Sequence, residues 1–441
     1  MRAAKTLAGL NGMDRQKRSS FDYEGNYRGS KKMNLLFLPK LLPRADVIGG
    51  PILIYHRIKN LSSMGHKITL IAPAYTDEDR ADKSLEPFCE RIIRVDSVKE
   101  RPPGEVEALY KRLNRPKAFL TGDGGYDEEI EEALKLTLKG RHFDAIIAEY
   151  SMMGQYIEAN RSLIPADTRT IISVHECYTK AFELRAEKGE AINEETIKEL
   201  FNYEFKMYDT ADKILTLTEE DAGILINYSP ELKNKIAVVP HGVDTGFYTP
   251  PGEKSWDRNT KNILYVGNFQ HYPNVDAVKN FSEHCWAKIL EEVPDARFYA
   301  IGFNPPRELL DLRSEKVIVR EGGDNENVRR FYWSSDVFVA PIELGTGFRG
   351  KLLEAMACGL PVVATRLATF GISPVNGKDM FVADDYDVFS EYVIMLLKDA
   401  ELRKQTAINA LALAREFDHR HAAEKLEQVL EEGKGGNGRS S

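Results

Sequence analysis

Two rhythms of apolar and polar positions take turns along this chain. Short unbroken apolar runs alternate with longer stretches of roughly 3.6-residue period. Asn34–Pro39 is an apolar run and predicts a buried strand. After the pair Gly49-Gly50, an apolar-periodic stretch from about Pro51 to Met64 predicts a helix. Gly65-His66 closes that helix, and Lys67–Ala72 reads as the next strand. A strand–helix–strand unit with a right-handed crossover predicts parallel pairing. Further strands are expected at Ala145–Ala148, Thr170–Val174, Lys213–Thr218 and Ile236–Val239, with long helices over 122–140 and 192–210. Pro240-His-Gly-Val-Asp244 ends this series, and the Pro- and Gly-containing segment Thr249–Thr260 reads as a linker. A second series starts at Ile263–Val266 and repeats at Arg297–Ile301, Val317–Val319, Val337–Ala340 and Pro361–Ala364. Helices over about 386–397 and 399–431 follow. The expected fold is α/β: two Rossmann-like parallel-sheet domains facing across a cleft, where the carboxyl ends of strands bind ligands. The predicted division is a disordered leader over 1–32, an N-terminal Rossmann-like domain over 33–247, a linker over 248–261 and a C-terminal Rossmann-like domain over 262–398. C-terminal helices over 399–432 that pack across both domains and a flexible tail over 433–441 complete it.

The most informative stretch is Pro341-Ile-Glu-Leu-Gly-Thr-Gly-Phe-Arg-Gly-Lys-Leu-Leu-Glu-Ala-Met-Ala-Cys-Gly-Leu-Pro-Val-Val-Ala-Thr365. It reads as strand end, glycine turn, helix and second buried strand. Gly345 and Gly347 make the turn, Arg349 and Lys351 bring two cations, and Glu354 follows one turn along. Free N–H groups at a helix start beside cations suit a phosphate-bearing ligand. A carboxylate slightly deeper accepts hydrogen bonds from hydroxyls such as those of a ribose. The literal string Gly345-Thr-Gly-Phe-Arg-Gly350 also fits the dinucleotide fingerprint, with Arg366 placed to receive an NADP 2′-phosphate. The short helix, and a next strand only about fifteen residues on, oppose that reading. A purely structural glycine turn is the bland alternative.

Composition narrows the classes. At 441 residues the chain is too long for one ordinary core, and 42% hydrophobic with 29% charged residues fits a globular protein. The net charge of −8 argues against nucleic acid as a partner. Cys89, Cys177, Cys285 and Cys358 lie far apart, which favours a reducing, cytoplasmic setting over a disulfide or zinc framework. No apolar run is long enough to span a bilayer, and peripheral contact with the inner membrane face stays open. Residues 1–32 hold eight Lys/Arg against three Asp/Glu without periodicity.

Several ordered motifs carry a family resemblance. Asp212-Lys-Ile-Leu-Thr-Leu-Thr-Glu-Glu-Asp221, Val239-Pro-His-Gly-Val-Asp-Thr-Gly-Phe-Tyr-Thr-Pro250, Tyr265-Val-Gly-Asn-Phe-Gln-His-Tyr-Pro-Asn-Val-Asp-Ala-Val278 and the turn at Gly345–Val363 occur in the order and spacing of one family. The chain resembles a GT-B glycosyltransferase close to family 4 over roughly residues 33 to 430. That resemblance implies retaining transfer of a sugar from a UDP- or GDP-sugar to a glycan or lipid-linked acceptor, with no further cofactor. It implies that Glu354 binds the donor ribose, and that Arg349 and Lys351 face the diphosphate. Gly49 and Gly50 match the N-domain glycine loop, His175 the active-site histidine, and Gly267 and Asn268 the loop after the first strand of the donor domain. Gly345, Thr346, Gly347, Phe348 and Leu352 complete the expected donor site, and Glu149 and Glu176 stand on the acceptor side. His175, Arg349 and Lys351 are the expected catalytic groups.

Two positions depart from the family pattern. Thr346 stands where a glutamate is usual, with Glu343 the nearest substitute in sequence. Asn268-Phe-Gln-His-Tyr-Pro-Asn274 lacks the usual arginine and lysine. No Asp-x-Asp motif stands at a strand end, so no metal is expected. The rival readings are a nucleotide-sugar epimerase of the same fold and a non-catalytic sugar-nucleotide-binding partner of another transferase.

Overall fold

The computed structural model describes residues 31–45, 50–98, 100–122, 125–187, 189–252, 261–345 and 348–432. The expected tail, most of the expected leader and linker, and Gly49, Thr346 and Gly347 of the expected donor site lie outside these residues.

The first sheet has seven strands: β1 (Asn34–Pro39), β2 (Lys67–Ala74), β3 (Arg91–Asp96), β4 (Ala145–Glu149), β5 (Arg169–Val174), β6 (Lys213–Thr216) and β7 (Ile236–Val238). Their order is β3-β2-β1-β4-β5-β6-β7, all parallel, with Phe37 paired to Leu70 on one side and Ile147 on the other. Leu35 to Leu38 are fully buried because helices cover both faces of the sheet, which is why these strands read as continuous apolar runs. The second sheet holds β8 (Asn262–Asn268), β9 (Arg297–Phe303), β10 (Val317–Glu321), β11 (Val337–Ala340), β12 (Val362–Ala364) and β13 (Phe381–Val382). Its order is β10-β9-β8-β11-β12-β13, again all parallel. Both sheets reverse their winding between two central strands, β1/β4 and β8/β11. The crevices beyond the carboxyl ends of those pairs are the places where such sheets take ligands.

Three features differ from the sequence reading. β3 and β13 were not expected. β3 (Arg-Ile-Ile-Arg-Val-Asp) is an edge strand with charged residues at both ends, and β13 has two residues. The expected helix over 399–431 is two helices, Ala400–Glu416 and His419–Glu431. The interdomain segment imposes the break: Val243 N–H donates to Phe417 O at 2.8 Å, and His419 N–H donates to Val243 O at 3.1 Å. Asp418 then caps the second helix by accepting from Arg420 N–H at 2.8 Å. The chain also joins its second half before residue 248. Arg329 donates to Phe247 O at 2.8 Å, Tyr248 is buried in the second core, and Trp333 donates to Thr249 O at 2.8 Å.

The Ala400–Glu416 helix packs on the second sheet's side, where Ala410, Leu413 and Ala414 enter the core. The His419–Glu431 helix crosses back. Leu426, Val429 and Leu430 complete the core on one face of the first sheet, and Glu427 Oε1 sits 2.9 Å from His66 Nε2. One chain end thus fastens both halves beside the crevice. Among the described residues no helix is long and apolar enough to cross a membrane.

Candidate functional site

On the first sheet, three strand ends meet one buried guanidinium. The Gly50–Ser63 helix buries its apolar face through Ile54, Ile58 and Leu61, and Arg57 lies on that same face. Arg57 is 1% exposed, and its Nη1 donates to both oxygens of Glu149 at 2.9 Å and to Ser173 Oγ at 2.8 Å. Nη2 reaches Val239 O at 3.3 Å, in the segment leading to the other half. Glu149, the last residue of β4, is 0% exposed and also binds His175 Nε2 at 2.8 Å. Burial pushes its carboxyl up, but Arg57 and His175 outweigh that and hold it down to about 2. Burial lowers the His175 imidazole, and the Glu149 carboxylate opposes that shift. Tyr150 stacks on His175 with ring centroids 4.0 Å apart, from a backbone with φ of +81°. This left-handed conformation is costly for a non-glycine residue and gathers at functional sites. Gly50 is required here, since a Cβ on it would come 1.6 Å from Tyr150 Oη and 3.2 Å from His175 Nδ1.

The expectation that Glu149 touches the acceptor is corrected by this geometry. A fully buried carboxylate satisfied by Arg57 and His175 has no face for a substrate. Glu176 is exposed, just beyond His175. The loop carrying it is anchored from behind by Glu204, which is fully buried on the Glu194–Thr210 helix. Glu204 accepts from the N–H groups of Tyr178 at 2.9 Å and Thr179 at 2.8 Å, at the start of the Tyr178–Glu187 helix. It also accepts from Tyr208 Oη at 2.7 Å. Lys40, just after β1, donates to Tyr178 Oη at 3.1 Å and lies 5.3 Å above the Tyr150 ring.

On the second sheet, the Gly350–Ala357 helix starts behind Arg349 with no side-chain cap, and Leu352 N–H donates to Arg349 O at 3.0 Å. Gly345 turns the chain at φ +88°, where a Cβ would press within 3.1 Å of both Pro273 Cγ and Arg349 Nη2. Arg349 folds over this turn and donates to Leu344 O at 3.1 Å. Burial lowers its pKa, yet a guanidinium stays charged. Lys351 Nζ binds both oxygens of Glu354 at 2.9 and 3.0 Å, and Tyr332 Oη donates to Glu354 Oε2 at 3.0 Å. The Lys351 side chain is 25% exposed and that of Glu354 15%, so neither is a freely solvated surface group. Phe348 stacks on His241 of the interdomain segment at 5.2 Å. A Cβ on Gly350 would lie 3.8 Å from the His241 ring, which places that ring over the helix start. Gly267, one residue before the end of the first strand of this sheet, lies close against Asn274, whose Nδ2 donates to Asn268 O at 2.8 Å. Leu352, expected at the donor, is 2% exposed in the hydrophobic core, so its side chain supports the helix from within. Glu343 turns aside, accepting from Asn280 Nδ2 at 3.4 Å.

The two sides touch across the gap. A Cβ on Gly371 would strike Thr218 Cγ2 at 2.5 Å. Behind His241, the His56 and His419 rings stack at 3.9 Å and 7°. Burial takes His56 and His241 down to about 4 and His419 well below its ordinary value. Among the described residues no group of three or more His, Cys, Asp or Glu is placed to hold a metal ion.

Sequence reasoning quoted His241 within a motif without giving it a role, and missed Arg57 and Glu204. A charged residue on an otherwise apolar helix face was the available signal for Arg57, which lies three residues after Ile54 and one before Ile58.

Known proteins share this architecture. The family models "Glycosyltransferase Family 4" and "Glycosyl transferases group 1" match residues 48–247 and 260–399, which together make up most of the chain. A D-inositol 3-phosphate glycosyltransferase of Corynebacterium diphtheriae is 24% identical over 310 residues, 65% of this chain and 70% of that protein. An uncharacterized 44.6 kDa protein in the cps region of Klebsiella pneumoniae is 20% identical over 382 residues, covering 83% and 92%. Among solved structures, sucrose-phosphate synthase of Thermosynechococcus elongatus aligns with a TM-score of 0.67 at 16% identity, covering 90% of this chain and 98% of that one. HepE of Anabaena, solved in complex with UDP, aligns at 0.63 and 12% identity, covering 90% and 99%. Matched in both halves by family models and sharing its two-sheet architecture with such enzymes, the chain belongs to the GT-B glycosyltransferases and resembles family 4.

Proposed function

We propose that the enzyme transfers a sugar, with retention of anomeric configuration, from a UDP-sugar, or failing that a GDP-sugar, to a glycan or lipid-linked acceptor on the cytoplasmic side of a membrane. The observation that carries this reading is the Lys351–Glu354–Tyr332 group at an uncapped helix start in one half, with His175 and its buried partners in the other. The solved HepE complexes with UDP and UDP-glucose support a uridine donor.

Cleavage of the donor puts positive charge on the sugar ring and extra negative charge on the leaving diphosphate. N–H groups at the start of the Gly350–Ala357 helix, with Arg349 and Lys351, stabilise that charge electrostatically. Glu354 receives the ribose hydroxyls. Gly49, Gly50, Gly267, Asn268, Gly345, Thr346, Gly347 and Phe348 line the donor, and His175 meets the sugar. Front-side attack by the acceptor hydroxyl, its proton passing to the leaving phosphate oxygen, gives retention. Lys40 and Glu176 stand on the acceptor side, and peripheral membrane contact would present a lipid-linked acceptor.

The test is a donor panel with acceptors, read as free nucleoside diphosphate and, by NMR, as the anomeric configuration of the product. Release from a uridine donor with retained configuration is expected. Binding without turnover across the whole panel would favour a non-catalytic partner, and conversion of the sugar nucleotide alone would favour an epimerase.

A further inference from the structure

The ion pair behind His175 is not needed to grip a nucleotide. It sits wholly inside the protein, Arg57 at 1% and Glu149 at 0% exposure. Buried pairs seldom gain stability over apolar packing, so this one calls for another reason. Its geometry supplies one. Arg57 Nη1 holds both Glu149 oxygens at 2.9 Å, which keeps the carboxyl ionised and therefore an acceptor only. One of those oxygens meets His175 Nε2 at 2.8 Å. The proton in that bond must come from the imidazole. Nδ1, at the other edge of the ring, makes no hydrogen bond among the described residues and lies beside Gly50, where a Cβ would stand 3.2 Å away. Tyr150 closes one ring face at 4.0 Å. Its strained backbone is held by an N–H bond to Ser173 O at 2.9 Å, on the residue whose Oγ also binds Arg57. The charged groups acting on the ring are Glu149, Arg57 and Lys40, and burial with the two cations favours its neutral form.

We propose that Arg57 and Glu149 are positioning residues that fix His175 as its Nε2–H tautomer and so present Nδ1 as an acceptor for a hydroxyl of the transferred sugar. The proposal rests on the reading of His175 as the residue that meets that sugar. It selects donors that carry a hydroxyl hydrogen at this point and disfavours those that present only an acceptor there.

The ¹⁵N spectrum of the full-length chain tests it, with His175 assigned by the signal lost in His175→Gln. The expected pattern is a protonated Nε2 and a bare Nδ1 at neutral pH, with Nδ1 shifting when a turned-over donor is added. A protonated Nδ1 at pH 7 overturns the proposal, as does an Nδ1 indifferent to such a donor. Glu149→Gln should mix the tautomers and lower kcat about 10–100-fold while the donor KM stays within about twofold. An unchanged tautomer with unchanged kcat also overturns it. If that variant does not fold, the wild-type spectrum still decides. Failure of the transferase reading looks different: no nucleoside diphosphate is released by the wild type, whichever tautomer His175 holds.

Discussion

Glu354 and Lys351 occupy one turn of one short helix, and the function proposed above gives each a duty that can be measured. Lys351→Ala removes a cation from the leaving phosphate, and kcat should fall about 10²–10³-fold, on the order of 3 kcal/mol in the barrier. Steady-state kinetics check this, and a loss confined to KM would speak against it. The turn at Gly345 and the helix after it were legible from the glycines and the apolar spacing that follows them. Arg57, Glu149 and Glu204 were not assigned correctly, because their meaning lies in contacts between residues far apart in sequence. Glu149 shows this well: its position at a strand end was read as facing a ligand, but only the fold reveals the guanidinium 92 residues earlier that buries it. The histidines give a further prediction. His56 and His241 have folded pKa values of about 4 against an ordinary 6.5, so the unfolded chain binds more protons between those values. Their contribution is complete above pH 6.5 and is lost as pH falls toward 4, so denaturant midpoints should drop across that window. His56→Gln should flatten the drop. Glu149 acts lower, its contribution being lost only as pH falls from its ordinary range toward 2.

Among elements, the His419–Glu431 helix ties the end of the chain to the first sheet. Leu426, Val429 and Leu430 finish the first sheet's core although they follow the second in sequence. Leu426→Ala should therefore cost about 2–5 kcal/mol, read as a lower denaturant midpoint. Asp418→Ala, which removes the cap at the helix break, should cost about 1 kcal/mol by the same measurement. The apolar pattern could show that both C-terminal stretches are helical. It could not show the break at Phe417–Asp418, because the cause is a backbone pairing with Val243. The central strands were legible for the opposite reason: covered on both faces, they are apolar without interruption. The edge strand β3 has no such run and was hidden by its charges.

At the scale of the whole molecule, one parallel sheet carries an uncapped helix start and the other a shielded histidine. The alternation of strand and helix announced both halves. The contacts that set them face to face, His241 on Phe348 and Gly371 against Thr218, follow only from the assembled fold. A ligand held by both halves stabilises the native state, so the matching nucleoside diphosphate should raise the melting temperature in proportion to the logarithm of its concentration. The measurement that tests the central claim most directly compares the affinity of that diphosphate with its 2′,3′-dideoxy analogue, in wild type and in Glu354→Ala. A charge-assisted hydrogen bond to the ribose predicts that the wild type prefers the ribonucleotide by about 10–100-fold and that the variant shows almost no preference. Equal preference in both proteins would contradict the assignment of the Gly350–Ala357 helix as the donor's seat.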